Sequence, residues 1–117
     1  MEMLSVRIDL SGKSVMVIGS TPQALLLLKS LCKCTRSLFL LSSSPSDEIR
    51  AFCKDKQIPI SESAYNREAL FGMDYVFCAS ASEDVVNDTA AICRTMGIRL
   101  FSYGHPDKSD FFPCIPL

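Results

Sequence analysis

The stretch Ser14-Val-Met-Val-Ile-Gly-Ser-Thr-Pro-Gln-Ala24 decides how the rest of the chain is read. Ser14 to Ile18 is a short apolar run bounded by Gly12-Lys13 and Gly19, the pattern of a buried strand. Pro22 suits the first turn of a helix, where a missing N–H costs nothing. The leucine-rich residues Ala24 to Cys34 then read as a buried helix. A strand, a glycine turn and a helix in immediate succession open a βαβ crossover.

The alternation continues outward. Ser37 to Leu41 reads as a second strand, and Ser42-Ser-Ser-Pro45 as a loop. Ser46, Asp47 and Glu48 start a helix through Lys54, with the carboxylates at the favourable end of its dipole. Ile58-Pro-Ile60 reads as a short strand at an edge, because proline cannot donate to an inner ladder. Asn66 to Phe71 predicts one or two helical turns, and Asp74 to Ala79 a stronger strand. Ser82 caps a helix that runs to Met96 and stops at Gly97, and Ile98 to Phe101 forms another strand. Gly104, Pro106, Pro113 and Pro116 make the tail irregular. In that tail Asp107 and Asp110 read as solvated turn formers, with Ser109-Asp110 leading Phe111 and Phe112 back into the core. The pattern predicts an α/β fold: a Rossmann-like, doubly wound, mainly parallel sheet of about five strands with helices on both faces. Residues 1–117 are expected to form a single domain.

Composition narrows the function. The 117 residues are long enough for a core without staples, and the formal net charge is −1. No basic surplus points to nucleic acid. The longest apolar run, Ala24 to Leu28, is far short of the roughly 20 residues that cross a bilayer, so no membrane partner is expected. Glu2, Arg7 and Asp9 interrupt the N-terminus, which does not read as a secretory signal. A cytoplasmic protein is expected, with its six cysteines reduced and mostly buried. Cys32-Lys-Cys34 has a one-residue gap, unlike the spacing of zinc ligands, and no metal site is expected.

Ligands of such sheets bind beyond the C-terminal strand ends, so the turn Gly19-Ser20-Thr21-Pro22-Gln23-Ala24 is the first candidate. A dinucleotide loop has glycine at its first and third positions and glycine or alanine at its sixth. Gly19 and Ala24 hold the outer places, but Thr21 stands where the middle glycine lets a pyrophosphate approach. Pro22 also removes an N–H from the helix start. Two readings stay open: a weakened phosphate loop aided by the Ser20 and Thr21 hydroxyls, or an ordinary tight turn. After the second strand, Leu41-Ser42-Ser43 replaces the acidic residue that would hold a ribose. Ser42 or Ser43 can bond a ribose or phosphate, or satisfy local backbone. His105, the one histidine, lies between Gly104 and Pro106 after a strand, where it is a candidate acid or base or a bland loop residue.

Three segments resemble the N-terminal domain of siroheme synthases. Met3 to Ala24 is similar to the family's opening, with Ile8-Asp-Leu10, Gly12-Lys13, a valine-rich strand and the glycine turn ending in alanine. Tyr75 to Asn87 resembles its strand ending in alanines and the acidic helix start that follows. Gly97-Ile98 through His105-Pro106 and Asp110-Phe-Phe-Pro113 to Ile115 resembles its last strand and its Asp-Phe-Ile-Phe-Pro-Ala-Ile-type motif.

The resemblance implies a precorrin-2 dehydrogenase and sirohydrochlorin ferrochelatase domain, with NAD as hydride acceptor and a tetrapyrrole as substrate or ligand. By position, Gly19, Ser20, Thr21 and Ala24 would contact the cofactor at the first turn. Leu41 and Ser42 would lie near its ribose, and Ala79, Ser80 and Ala81 beside the nicotinamide half. The family's general-base aspartate falls on Gly104 or His105, which makes His105, with Asp107 as a neighbour, the candidate catalytic base. The chain stops near the Phe-Pro-Ala-Ile motif, short of the family's following strand, dimerisation segment and helical region. The expectation is a member of this family with catalysis weakened or lost. The alternative is a non-catalytic module for a tetrapyrrole, a nucleotide or a partner enzyme. Either form is compatible with a homodimer.

Overall fold

Val15 and Val17 point to one side of the first strand and Met16 and Ile18 to the other, and this alternation builds two cores. The computed structural model describes residues 1–117. Its strands are β1 (Ser14–Ile18), β2 (Ser37–Leu41), β3 (Ile60–Ser61), β4 (Tyr75–Cys78) and β5 (Arg99–Ser102). Its helices are α1 (Pro22–Leu31), α2 (Asp47–Lys56) and α3 (Glu83–Met96), with 3₁₀ turns at Arg67–Leu70 and Pro106–Lys108. All strands are parallel, in the order β3-β2-β1-β4-β5. The fold is the expected Rossmann-like one, with β1 at the centre of the sheet.

The first core joins Val15, Val17, Leu38, Leu40, Phe77 and Phe101 to α1 and α2. From the helices it receives Leu27 and Leu28, both 0% exposed, together with Ile49 and Cys53. Each such aliphatic side chain contributes roughly 1.5–3 kcal/mol by leaving water. The second core sets Met16, Ile18, Leu41, Val76, Cys78 and Leu100 against Val86 and Cys93 of α3. Helices therefore cover both faces, as a parallel sheet requires.

The capping chemistry read from sequence is present. Ser46 Oγ accepts the Ile49 N–H, Ser82 Oγ accepts the Val85 N–H, and Gly97 closes α3 at a φ of 71°. Several boundaries differ from expectation. The helix expected to reach Cys34 ends at Leu31, with the N–H groups of Cys34 and Thr35 both directed at the Leu31 carbonyl. Thr35 is buried, and its hydroxyl donates to the Lys13 carbonyl at 2.8 Å and accepts the Ser37 N–H. That long-range bond turns the chain toward β2 before the helix can finish. α2 runs two residues past Lys54, to Lys56, and Gln57 closes it in the left-handed region. Ile98 is not in β5: its N–H closes the α3 terminus on the Cys93 carbonyl, which shifts the strand one residue on.

Asp110 is a correction. Its N–H donates to the Leu100 carbonyl at 2.7 Å, and its carboxylate accepts the Leu100 N–H at 2.9 Å. It is exposed as expected, yet it pairs with the free edge of β5 and is no turn former; the re-entry it leads takes Phe111 to the core, whereas Phe112 stays exposed. This seats Phe111 edge-on to Tyr75 and Phe77, at centroid distances of 5.7 and 5.4 Å. The cysteines also need correcting, since only half are buried. Cys53, Cys78 and Cys93 are inside, Cys32 is half-buried, and Cys34 and Cys114 are exposed. Burial pushes the Cys53 and Cys78 thiols up, and takes Cys93 to about 12 with the nearby Asp110 charge adding to the rise.

Phe111→Ala should cost roughly 2–4 kcal/mol in urea unfolding; a loss below about 1 kcal/mol would show that the tail is not part of the core. With a maleimide near pH 8, Cys34 and Cys114 should label in the native protein. Cys53, Cys78 and Cys93 should label only after unfolding, and rapid native labelling of any of these three would contradict the packing.

Candidate functional site

The chain winds β1, β2, β3 in one direction and then crosses back to place β4 on the other side of β1. The crevice of an open α/β sheet forms at this switch, beyond the C-terminal ends of β1 and β4. Gly19 sits in its floor. The Gly19 N–H extends the β1–β2 ladder to the Leu41 carbonyl at 3.1 Å, and the Ala79 N–H extends the β1–β4 ladder to Ile18 at 2.8 Å. Gly19 has a φ of 132°, and a Cβ there would lie 2.6 Å from the Ala79 carbonyl oxygen. Only glycine fits that close approach.

Thr21 is the N-cap of α1. Its Oγ1 accepts the Ala24 N–H at 3.3 Å and donates to the Ala79 carbonyl at 2.9 Å. The residue in the middle-glycine position therefore ties the turn to β4. Ser20 and Ser42 hydrogen-bond through their hydroxyls across the ends of β1 and β2, and Ser42 is buried.

The crevice is a cleft of about 310 Å³. Of the expected cofactor residues, Gly19, Ser20, Thr21, Leu41, Ser42, Ser80 and Ala81 line it together. Ala24 and Ala79 are buried and are not in the lining. His105 is not brought there. It lies past the edge strand β5, half-buried, with Nδ1 3.1 Å from the Tyr103 carbonyl oxygen. Asp107 is exposed beside Lys108. No three His, Cys, Asp or Glu side chains gather into a metal-binding group.

Ser63, Tyr65 and Val85 also line the cleft, and sequence reasoning missed them. Ser63 and Tyr65 follow the two-residue β3, and a polar stretch after an edge strand has no signature of its own. Their signal lies in the strand order, which brings β3 to the side of β2. Tyr65 donates its phenol to the Asp88 carboxylate at 2.7 Å, and Asp88 also pairs with Arg67. Burial first, then Asp88, pushes the Tyr65 phenol up to about 12. At neutral pH it is a committed hydrogen-bond donor and not a base.

The other lining groups are hydroxyls, backbone and aliphatic side chains. Both helix starts at the cleft use part of their donor set internally. Pro22 has no N–H, and that of Ala24 is held by Thr21. On α3 the Ser82 N–H goes to Ser80 Oγ, and that of Val85 to Ser82 Oγ. The arrangement offers hydroxyls and an apolar wall, and the helix-start amides without an internal acceptor are those of Gln23, Glu83 and Asp84.

A parallel sheet in this order, with a glycine turn at its switch point, defines a Rossmann-type nucleotide-fold domain. The chain belongs to the family described as "putative NAD(P)-binding", whose model matches residues 6–113. Among solved structures it is similar to "SirC, precorrin-2 dehydrogenase", with 20% sequence identity and a TM-score of 0.75. That match covers 98% of this chain and 55% of the other, so this chain spans about half the length of its structural neighbour. No curated protein matches the chain. The family match bears out an NAD(P)-binding-type domain, and the structural likeness bears out its fold. No helix is long and apolar enough to cross a membrane.

Gly19→Ala should destabilise the domain by roughly 2–4 kcal/mol in chemical denaturation, from backbone strain and the clash with Ala79. A change within about 0.5 kcal/mol would mean that the β1–β4 approach is not fixed.

Proposed function

We propose that this chain is a nucleotide-holding module of tetrapyrrole metabolism, with NAD(P) as its ligand and without self-sufficient dehydrogenase activity. One observation carries the reading: Tyr65 is the only side chain lining the switch-point cleft that ionises, and it stays protonated. Oxidising a reduced tetrapyrrole by hydride transfer also requires a group that accepts a proton. His105 stands on the far side of β4 from β1, away from that lining.

Family membership supports the choice of ligand. Gly19, Ser20 and Thr21 would hold the dinucleotide at the turn, Leu41 and Ser42 its ribose, and Ser80 and Ala81 its nicotinamide half. When bound, the dinucleotide supplies a hydride acceptor; the protein residues supply hydrogen bonds and orientation. The proton acceptor then has to come from outside the lining of this cleft; a second copy of the chain or a partner enzyme would be one source. Six free cysteines favour the cytoplasm, where thiols persist.

The test is NADH titration by nicotinamide fluorescence, followed by a precorrin-2 turnover assay on the chain alone. The expected outcome is saturable binding between about 10 μM and 1 mM with no turnover above background. Turnover by the isolated chain would refute the non-catalytic part of the proposal. An unchanged fluorescence signal at millimolar NADH would refute the ligand.

A further inference from the structure

We infer that the switch-point cleft recognises the nucleoside of its ligand and draws little affinity from the diphosphate. The inference rests on the nucleotide-holding reading above and says which part of the ligand the protein grips. Its first support is the donor set. Hydroxyls of Ser20, Ser42, Ser43 and Ser63 stand in the cleft beside the apolar side chains of Leu41 and Val85, and no lysine, arginine or histidine lines it. Neutral hydroxyls match a ribose, and an aliphatic wall matches the face of a heterocyclic base.

The second support is the state of the helix amides. A helix start holds phosphate through free N–H groups and its dipole. Here Pro22 removes one such group, and the Thr21 cap occupies another. On α3 the Ser82 and Val85 amides are likewise taken by Ser80 and by the Ser82 cap, which leaves those of Glu83 and Asp84, two residues that carry negative charge themselves.

The third support is charge. Glu83 and Asp84 are exposed in the first turn of α3, between the lining residues Ser82 and Val85. Asp47 and Glu48 occupy the first turn of α2. The nearest guanidinium on α2, Arg50, is engaged by both carboxylate oxygens of Glu62. An anionic diphosphate meets Glu83 and Asp84 beside the lining, while the Arg50 and Arg67 guanidiniums are already paired with Glu62 and Asp88. An uncharged nucleoside meets no such repulsion.

Calorimetry on the 117-residue chain with adenosine, ADP and NAD⁺ separates the possibilities. All three should bind within about tenfold of one another, with little change between low and moderate salt. The double variant Glu83→Gln/Asp84→Asn should tighten ADP several-fold and leave adenosine unchanged, the adenosine affinity serving as its folding control. If ADP binds the wild-type chain more than about tenfold tighter than adenosine, the inference falls while the nucleotide-holding reading stands. If the double variant fails to favour ADP selectively, the acidic rim is excluded as a cause. If none of the three binds at millimolar concentration, the nucleotide-holding reading falls and this inference with it.

Discussion

The parallel pairing of β1 with β2 on one side and β4 on the other organises everything else in this domain. A strand paired in parallel on both sides lies under crossover helices on both faces, so its side chains are buried on both. Val15, Met16, Val17 and Ile18 show this, all being at most 4% exposed. Parallel neighbours also force each connection to cross over the sheet, which places α1 and α2 on one face and α3 on the other. The reversal of strand order at β1 then opens the crevice. Core packing and site location are consequences of one hydrogen-bonding arrangement.

What could be read from the residues depended on how local the cause was. β1 and β2 are bounded by glycine, serine and charged residues, and both were legible to the residue. The ends of α1 and β5 were not, because distant partners set them. Thr35 reaches back to Lys13, and Ile98 is claimed by the α3 terminus. Asp110 looked like a turn former because nothing in its neighbours announces the Leu100 backbone ten residues earlier. The candidate site divides in the same way. The turn from Gly19 and the segments after β2 and β4 could be placed together from the fold class alone. Tyr65 and Ser63 could not, since only the two-residue β3 brings them to the cleft. His105 matched a family position in the chain, yet strand order leaves it outside the lining.

The cleft is built from hydroxyl groups that largely serve the protein itself. Ser20 bonds Ser42, Thr21 bonds both α1 and β4, Ser80 bonds the start of α3, and Tyr65 bonds Asp88. Such mutual bonding preorganises the walls, because each hydroxyl has a preferred direction before a ligand arrives. It also makes the cleft electrically quiet inside an acidic rim. Among the lining side chains only Tyr65 ionises, so the walls present shape and neutral hydrogen bonding to whatever enters.

Gly19 carries one more consequence. The residue that looks most like a cofactor signature is required by the approach of its own backbone to the Ala79 carbonyl oxygen. Selection for folding alone would therefore retain it, generation after generation, in a descendant that had given up its nucleotide altogether. The presence of this glycine is therefore no sign, on its own, that a nucleotide is held. Thr21 is under the same architectural hold, since its hydroxyl caps α1 and bonds the Ala79 carbonyl.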